Sequence, residues 1–445
     1  MLTSPQAMLV LGFAGVICVG AAILSSSWCQ QRPIFFLDAL FTSTSAVCVT
    51  GLTVLDIGKD YNFAGQLVLI LLIQAGGLGV MTFAGLAFQM MGRRMSLRSE
   101  AVLHDTFFQR QVGTEFWRTF RTIIILTASV EFVGAIALSA LFLSKMSWHE
   151  ALFSGLFHSI SAFCNAGFSL LSDNLVEVRE EPLILVVVMI LIILGGLGFT
   201  VLHEIYKAAA ALMTRKPWKG MRSQFSFHAR LVLIVSGILV FGGALGLAAF
   251  GLSPEEKSVG EITIGTLFQS VSARTAGFNS VDIGKLPSAS LLLLVILMFI
   301  GGSPGSAAGG IKTTSAAILV ARVLSGLRGR RSVSLANRAI PWEVVSRNDL
   351  LLALALSWNL AGVFFLFIFE SGLRVDTLQL LFEQISAFGT VGLSTGITPN
   401  LSSGGKIWLI ATMFVGRLGP LTIVFWAVPR DSLNIRYPRG RVMIG

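Results

Sequence analysis

Apolar residues in this chain come in runs too long and too unbroken for a soluble fold. Eight stretches, at about 6–27, 64–91, 118–144, 182–213, 230–252, 288–324, 349–370 and 406–429, reach the roughly 20 apolar residues that a helix needs to cross a bilayer. The sixth is interrupted in its middle. After the first, third, fifth and seventh stretches comes a shorter apolar piece, at 35–46, 149–162, 260–273 and 375–387, too short to cross. The pattern predicts long helix, short half-crossing helix, turn, long helix, four times over.

The short pieces and the turns after them align with one another. They read "ALFTSTSAVCVTGLT" at 39–53, "GLFHSISAFCNAGFS" at 155–169, "TLFQSVSARTAGFNS" at 266–280 and "LLFEQISAFGTVGLS" at 380–394. Each has Leu-Phe, then Ser-Ala, then Gly followed by an apolar residue. The glycines are Gly51, Gly167, Gly277 and Gly392, and the third copy is one residue short between Phe268 and Gly277. A second glycine mark follows in every copy: "GGLG" at 76–79, "GGLG" at 195–198, "GGSPG" at 301–305 and "GRLG" at 416–419. Two marks in register four times define repeats at 1–92, 93–214, 215–325 and 326–445. The expected architecture is an all-α integral membrane protein of eight transmembrane helices. Its four pseudo-fourfold repeats of span, pore helix and loop, and span surround one central cation pore.

Composition agrees with lipid as the solvent. The chain is 54% hydrophobic and 13% charged, with mean hydropathy +0.79, whereas soluble domains are about a quarter charged. Residues 7–24 are too long, and too free of preceding basic residues, for a signal peptide and read as the first span. Charge sets the orientation. Segments 92–121, 207–230, 322–347 and 430–445 hold 22 of the 33 Lys and Arg residues, and the alternate segments hold nine. By the positive-inside rule the first set and both termini are cytoplasmic. The net charge of +10 is mostly this topological bias and does not indicate nucleic-acid binding. Fifteen of the 23 acidic residues lie on the outer side, where they concentrate cations. Cys18, Cys29, Cys48 and Cys164 show no metal-site spacing and read as small buried residues.

Four glycine turns at membrane depth suggest a chemistry. Exposed backbone is tolerated there only when buried in protein or lining a water-filled path. Glycine lets carbonyls turn toward one axis, and a carbonyl ring can replace an ion's hydration shell. The short helices end at the turns, so their negative ends favour a cation.

On these residues the chain resembles the Trk/Ktr/HKT potassium transporters over essentially its whole length. The shared features are the fourfold plan, one filter Gly per repeat, "GGSPGSAAGGIK" at 301–312 and "GRLGPLT" at 416–422. Eight spans and the ending "NIRYPRGRVMIG" are most similar to the Ktr membrane subunit. The resemblance implies potassium uptake across a prokaryotic cytoplasmic (inner) membrane. It implies a potassium-binding filter of Val49, Thr50 and Gly51; Asn165, Ala166 and Gly167; Thr275, Ala276 and Gly277; and Thr390, Val391 and Gly392. Glycine in all four copies implies potassium over sodium. The implied partners are a second copy of the chain, membrane lipid and a cytoplasmic ring of nucleotide-binding regulatory subunits. No cofactor is expected in the chain itself; K+ is substrate, and Na+ is a candidate coupling ion.

The interrupted stretch is the most unusual sequence in the chain. Glycine and proline disfavour helix by about 1 and 3 kcal/mol relative to Ala, so 301–310 should unwind into a loop below the filter. The expected gate comprises Gly301, Gly302, Ser303, Gly305, Gly309, Gly310 and Lys312 of the intramembrane loop 301–312, with Arg417 from the fourth repeat donating to loop carbonyls. A charge at bilayer depth is by default functional, although Lys312 has the alternative of reaching the cytoplasmic interface. Arg274 is expected to brace the third turn against a carboxylate, and Glu131 to pair with a polar neighbour. Two rival readings are a sodium-selective or sodium-coupled transporter and an intramembrane hydrolase. "GSAAGGIKTT" misses the phosphate-loop pattern because Ile311 displaces the lysine by one position.

Overall fold

The computed structural model describes residues 5–90, 116–213, 225–252, 258–330, 332–336 and 338–427. Most of the basic segments that orient the chain, at 92–121, 207–230 and 430–445, lie outside the described residues, as does the ending "NIRYPRGRVMIG". The described chain is mostly helical and falls into four successive groups. The first is α1 (Pro5–Leu24), α2 (Phe36–Val47) and α3 (Phe63–Met90). The second is α4 (Phe116–Phe142), α5 (Trp148–Phe163), α6 (Pro182–Leu197) and α7 (Phe199–Met213). The third is α8 (Phe227–Phe250), α9 (Val259–Ser272), α10 (Ser288–Phe299) and α11 (Thr313–Leu327). The fourth is α12 (Trp342–Phe369), α13 (Thr377–Gly389), α14 (Ser403–Leu418) and α15 (Pro420–Ala427). A small antiparallel hairpin, β1 (Ser334–Leu335) with β2 (Arg338–Ala339), links the third group to the fourth.

Among the described residues, three helices are long and apolar enough to cross a bilayer: Arg121–Phe142, Phe227–Phe250 and Trp342–Phe369. The pair Pro182–Leu197 and Phe199–Ala208 passes together but bends by 111°. The sequence pattern expected one broken stretch, yet three are broken. The sixth opens at 301–310, while the fourth and eighth each turn at a single glycine, Gly198 (φ 89°) and Gly419 (φ 83°). With ψ near 140°, these backbones lie in a region that side-chain-bearing residues avoid.

The short helices start where their sequences cap them. Ser147 with Glu150 and Asp376 with Gln379 form capping boxes on α5 and α13, and Ser258 caps α9. The acidic first-turn residues Asp38, Glu150 and Glu261 thus sit at favourable helix N-termini. The repeated phenylalanines Phe41, Phe157, Phe268 and Phe382 are all completely buried. Two residues further on, the hydroxyls of Ser43, Ser159 and Ser270 donate to the carbonyls of Ile17 (2.8 Å), Glu131 (2.7 Å) and Val240 (2.7 Å) on the preceding long helix. Gly20, Gly134 and Gly243 make room for those hydroxyls. In the fourth group Gln384 and Gly362 take the same places, and the Gln384 amide reaches Asn359.

The groups also interlock cyclically. α3 packs on α5, α6 on α9, α10 on α13 and α14 back on α2. The last contact closes the ring without a covalent link. There Lys406 meets Asp38 at 2.8 Å, with both side chains about 15% exposed. Of the cysteines, Cys29, Cys48 and Cys164 are buried as expected, but Cys18 is exposed on the outward face of α1.

Candidate functional site: four glycine turns and the loop beneath them

The α2, α5, α9 and α13 C-termini run into turns that share one backbone pattern. Val49, Asn165, Thr275 and Thr390 have φ of 55°, 59°, 72° and 48°, and two residues later Gly51, Gly167, Gly277 and Gly392 have φ of 93°, 68°, 79° and 95°. The left-handed residue before each glycine is strained for a side-chain-bearing amino acid, and it recurs at the same position in every copy. The four turns close on one another. A Cβ added to Gly51 would lie 2.5 Å from the Ala166 carbonyl oxygen, one on Gly167 2.8 Å from that of Ala276, and one on Gly277 2.5 Å from that of Val391. A Cβ on Gly392 would overlap the Thr50 carbonyl oxygen. Thr50, Ala166, Ala276 and Val391, with the glycines and left-handed residues, are thus gathered around one axis, and a side chain at any of the glycines would press on the next turn.

The Ser of each Ser-Ala pair braces its turn, a role the sequence reading did not assign. The Ser45, Ser161, Ser272 and Ser386 carbonyls accept from the N–H groups of Thr50 (2.8 Å), Ala166 (2.7 Å), Ala276 (2.9 Å) and Val391 (2.8 Å). The Ser45 and Ser386 hydroxyls accept from the glycine N–H groups of Gly51 and Gly392. Those of Ser161 and Ser272 donate to the carbonyls of Phe168 and Phe278. The signal was present, since Ser is the residue that all four copies keep at that place. On one side the ring opens into a cavity of about 500 Å³ whose wall includes Thr53, Asp56, Ser169, Asp173, Asp282 and Ser394.

The 301–312 segment lies against the other side of the turns. Gly301 abuts the Thr275 side chain, Gly309 abuts that of Thr390, and Gly310 (φ 65°) abuts Gly389. The base of the loop is pinned by Gly301 N–H to the Ile311 carbonyl (2.8 Å) and Thr313 N–H to the Gly302 carbonyl (3.1 Å). The buried Ser303 accepts from the Thr313 hydroxyl at 3.3 Å. Lys312 does not leave for the interface: its Nζ donates to the Ala308 carbonyl at 2.7 Å. Arg417, 7% exposed, donates to the carbonyls of Ala307 in the loop and Gly76 in α3. A further attachment was not expected. The break at Gly198 receives the loop, with Ser303 N–H donating to the Gly196 carbonyl and Phe199 N–H to that of Gly305, both at 3.1 Å. The Pro304 carbonyl fills the space a Cβ on Gly198 would need. The glycine mark in the second copy therefore packs, as Gly195 does against Phe163, and also breaks its helix.

Two charged residues behind the turns complete the site. Glu131 accepts from the Gln74 amide at 3.1 Å, as expected. The carboxylate expected for Arg274 is not there: its guanidinium donates to the Ser236 carbonyl (3.4 Å) and hydroxyl (3.1 Å), with no carboxylate as ion-pair partner among the described residues. Repeat three presents a helix carbonyl and a hydroxyl where a carboxylate was anticipated.

Residues 14–435 match the model of the TrkH family, described as a cation transport protein. The chain belongs to the TrkH cation transport protein family. It is 36% identical to the Ktr system potassium uptake protein B of Bacillus subtilis over 99% of this chain and 97% of that protein. It is 35% identical to the Vibrio alginolyticus protein of the same name (98% and 94% covered). With the potassium/sodium uptake protein NtpJ of Enterococcus hirae it shares 33% identity (99% and 97% covered). The crystal structure of the potassium transporter TrkH from Vibrio parahaemolyticus superposes with a TM-score of 0.75 at 20% identity, covering 96% of this chain and 85% of that one. TrkH family membership and this likeness agree on the fold.

Proposed function

We propose that this chain takes up potassium across the prokaryotic cytoplasmic membrane through a carbonyl filter gated by the 301–312 loop. The observation that carries the reading is the closure of the four glycine turns on one another, each glycine facing the next turn's carbonyl. Potassium sheds its hydration more readily than sodium, and a ring of neutral carbonyls replaces that hydration. The names of the relatives from Bacillus subtilis and Vibrio alginolyticus supply the ion. In this reading the filter is Val49–Gly51, Asn165–Gly167, Thr275–Gly277 and Thr390–Gly392. The eight apolar stretches are eight spans in four repeats bounded near 92, 214 and 325, and both termini are cytoplasmic. Gly301, Gly302, Ser303, Gly305, Gly309, Gly310, Lys312 and Arg417 form the barrier on the cytoplasmic side. A second copy of the chain and a cytoplasmic nucleotide-binding ring complete the assembly.

A sodium-linked mode is the second reading, favoured by the potassium/sodium uptake protein of Enterococcus hirae among the relatives. An enzymatic reading has little support. His158 and Ser169 do meet at 2.9 Å, but the other ring nitrogen of His158 faces the Ser154 carbonyl instead of an orienting carboxylate.

Flux into liposomes decides among these. Purified chain should pass K+ and Rb+ in preference to Na+ under a set potential. Gly51→Ser, which crowds the Ala166 carbonyl, should lower that preference. Equal Na+ and K+ flux through the unaltered chain would withdraw the selective filter and favour the sodium reading.

A further inference from the structure

The inner ring of the site repeats four times, but its outer shoulder repeats only twice. The residue after each repeated phenylalanine is Thr42, His158, Gln269 or Glu383. In the second and fourth copies this side chain reaches the strand leaving the filter. His158 Nε2 meets the Ser169 hydroxyl at 2.9 Å, and Ser169 lies two residues past Gly167. Glu383 Oε1 accepts from the Ser394 hydroxyl (2.6 Å), the Thr395 N–H (2.9 Å) and the Thr395 hydroxyl (3.3 Å), and Oε2 accepts from the Thr398 hydroxyl (2.7 Å). Ser394 lies two residues past Gly392. The first and third copies do otherwise. Thr42 donates to the Asp38 carbonyl of its own helix at 2.8 Å, and the buried Gln269 amide has no hydrogen-bond partner among the described residues.

The first and third copies instead share the sequence Asp-Ile-Gly-Lys, at 56–59 and 282–285. Asp56 and Asp282 cap these turns through the N–H groups of Gly58 and Gly284, each at 3.0 Å. The turns then lean on the neighbouring exit strands: Gly58 abuts the Leu170 carbonyl and Gly284 that of Thr395. Each exit strand of copies two and four is therefore clamped between a capped turn in front and a pore-helix side chain behind.

We infer that His158 and Glu383 are positioning residues for the outermost carbonyls of the filter, and that Glu383 sets its ion discrimination. This rests on the filter reading above. A carbonyl cage discriminates by field and size only while its oxygens are held in place. Glu383 fastens three consecutive functional groups of one exit strand and a fourth on the turn beyond. It is completely buried, and among the described residues its partners are hydroxyl and amide donors with no ion-pair partner. A buried carboxylate without a countercharge is costly. The cation in the adjacent filter supplies that countercharge, which a neutral side chain of the same shape would not use.

The test is K+ and Na+ flux in liposomes for Glu383→Gln, Ser394→Ala, Thr42→Val and Gly51→Ser. Glu383→Gln keeps the shape and removes the charge. It should raise the half-saturating K+ concentration and lower the K+-to-Na+ ratio by about threefold or more, as loss of charge-assisted bonds implies. Ser394→Ala should move both the same way by less, and Thr42→Val should move neither. Folded Glu383→Gln and Ser394→Ala with unaltered affinity and ratio would overturn the inference. If Glu383→Gln fails to fold, Ser394→Ala decides alone, and an unchanged ratio there overturns it. If Gly51→Ser also leaves the ratio unchanged, the fault lies in the filter reading itself.

Discussion

In the proposed gate, Arg417 is the side chain that ties the loop to a second group. Its guanidinium spans two carbonyls on different groups, Ala307 in the loop and Gly76 in α3, at 7% exposure. Hydrogen bonds from a charged donor contribute about 1.5–3 kcal/mol each. Removing the one to the loop should shift its closed-to-open ratio about tenfold or more. Arg417→Ala is therefore expected to raise flux through the chain while the thermal midpoint in detergent falls only modestly. Arg417→Lys retains the charge but cannot fork to two acceptors, so its flux should lie between. Unchanged kinetics in both variants would remove Arg417 from the gate. At this scale the sequence was a good guide: a lone arginine at bilayer depth stands out against apolar neighbours, and so did Lys312. The Arg274 partner was not legible, because a hydroxyl and a carbonyl on α8 leave no charge signature.

The elements carry a second prediction, at the breaks. Gly198 and Gly419 share one backbone conformation, with φ of 89° and 83°. A side chain at either costs about 1–3 kcal/mol in backbone strain. They differ in what lies beside them. A Cβ on Gly198 meets the Pro304 carbonyl oxygen at 2.6 Å, whereas nothing lies near one on Gly419. If the α6–α7 break holds the loop, Gly198→Ala should change flux well beyond what Gly419→Ala does, at similar loss of stability. Equal flux changes in the two variants would reduce the break to a bend. The short helices were legible to within two residues, since apolar runs, capping residues and the glycine marks agree there. The single-glycine breaks were not. One residue with positive φ has no compositional signature, while ten Gly-rich residues at 301–310 do. The apolar run of α6 and Phe199, Val201 and Leu202 after it also keep hydropathy high through Gly198.

For the whole molecule, the decisive joint is the one between its ends. α14 packs on α2, and Lys406 meets Asp38 across 368 residues of chain. Breaking a buried pair by removing one partner costs about 3–5 kcal/mol, less where water reaches it. Lys406→Ala should lower the thermal midpoint clearly, and the double variant with Asp38→Ala should recover part of the loss, the test being a double-mutant cycle. Additive losses would mean that the two residues act separately. This pair was invisible in sequence, because nothing local connects Asp38 to Lys406. The cyclic order of the groups was implied by the repeats, but only packing shows that the fourth returns to the first.

That joint also bears on how the protein comes to exist in time. The fourth turn and its partner helix emerge from the ribosome after the other three turns, and the Gly392 neighbour of Thr50 arrives only then. Until α14 seats on α2, the cycle of packed groups lacks its last contact. In the proposed reading, the wall of the ion path and the barrier residue Arg417 therefore depend on the same helix, α14, so closing the ring and furnishing its barrier are one event.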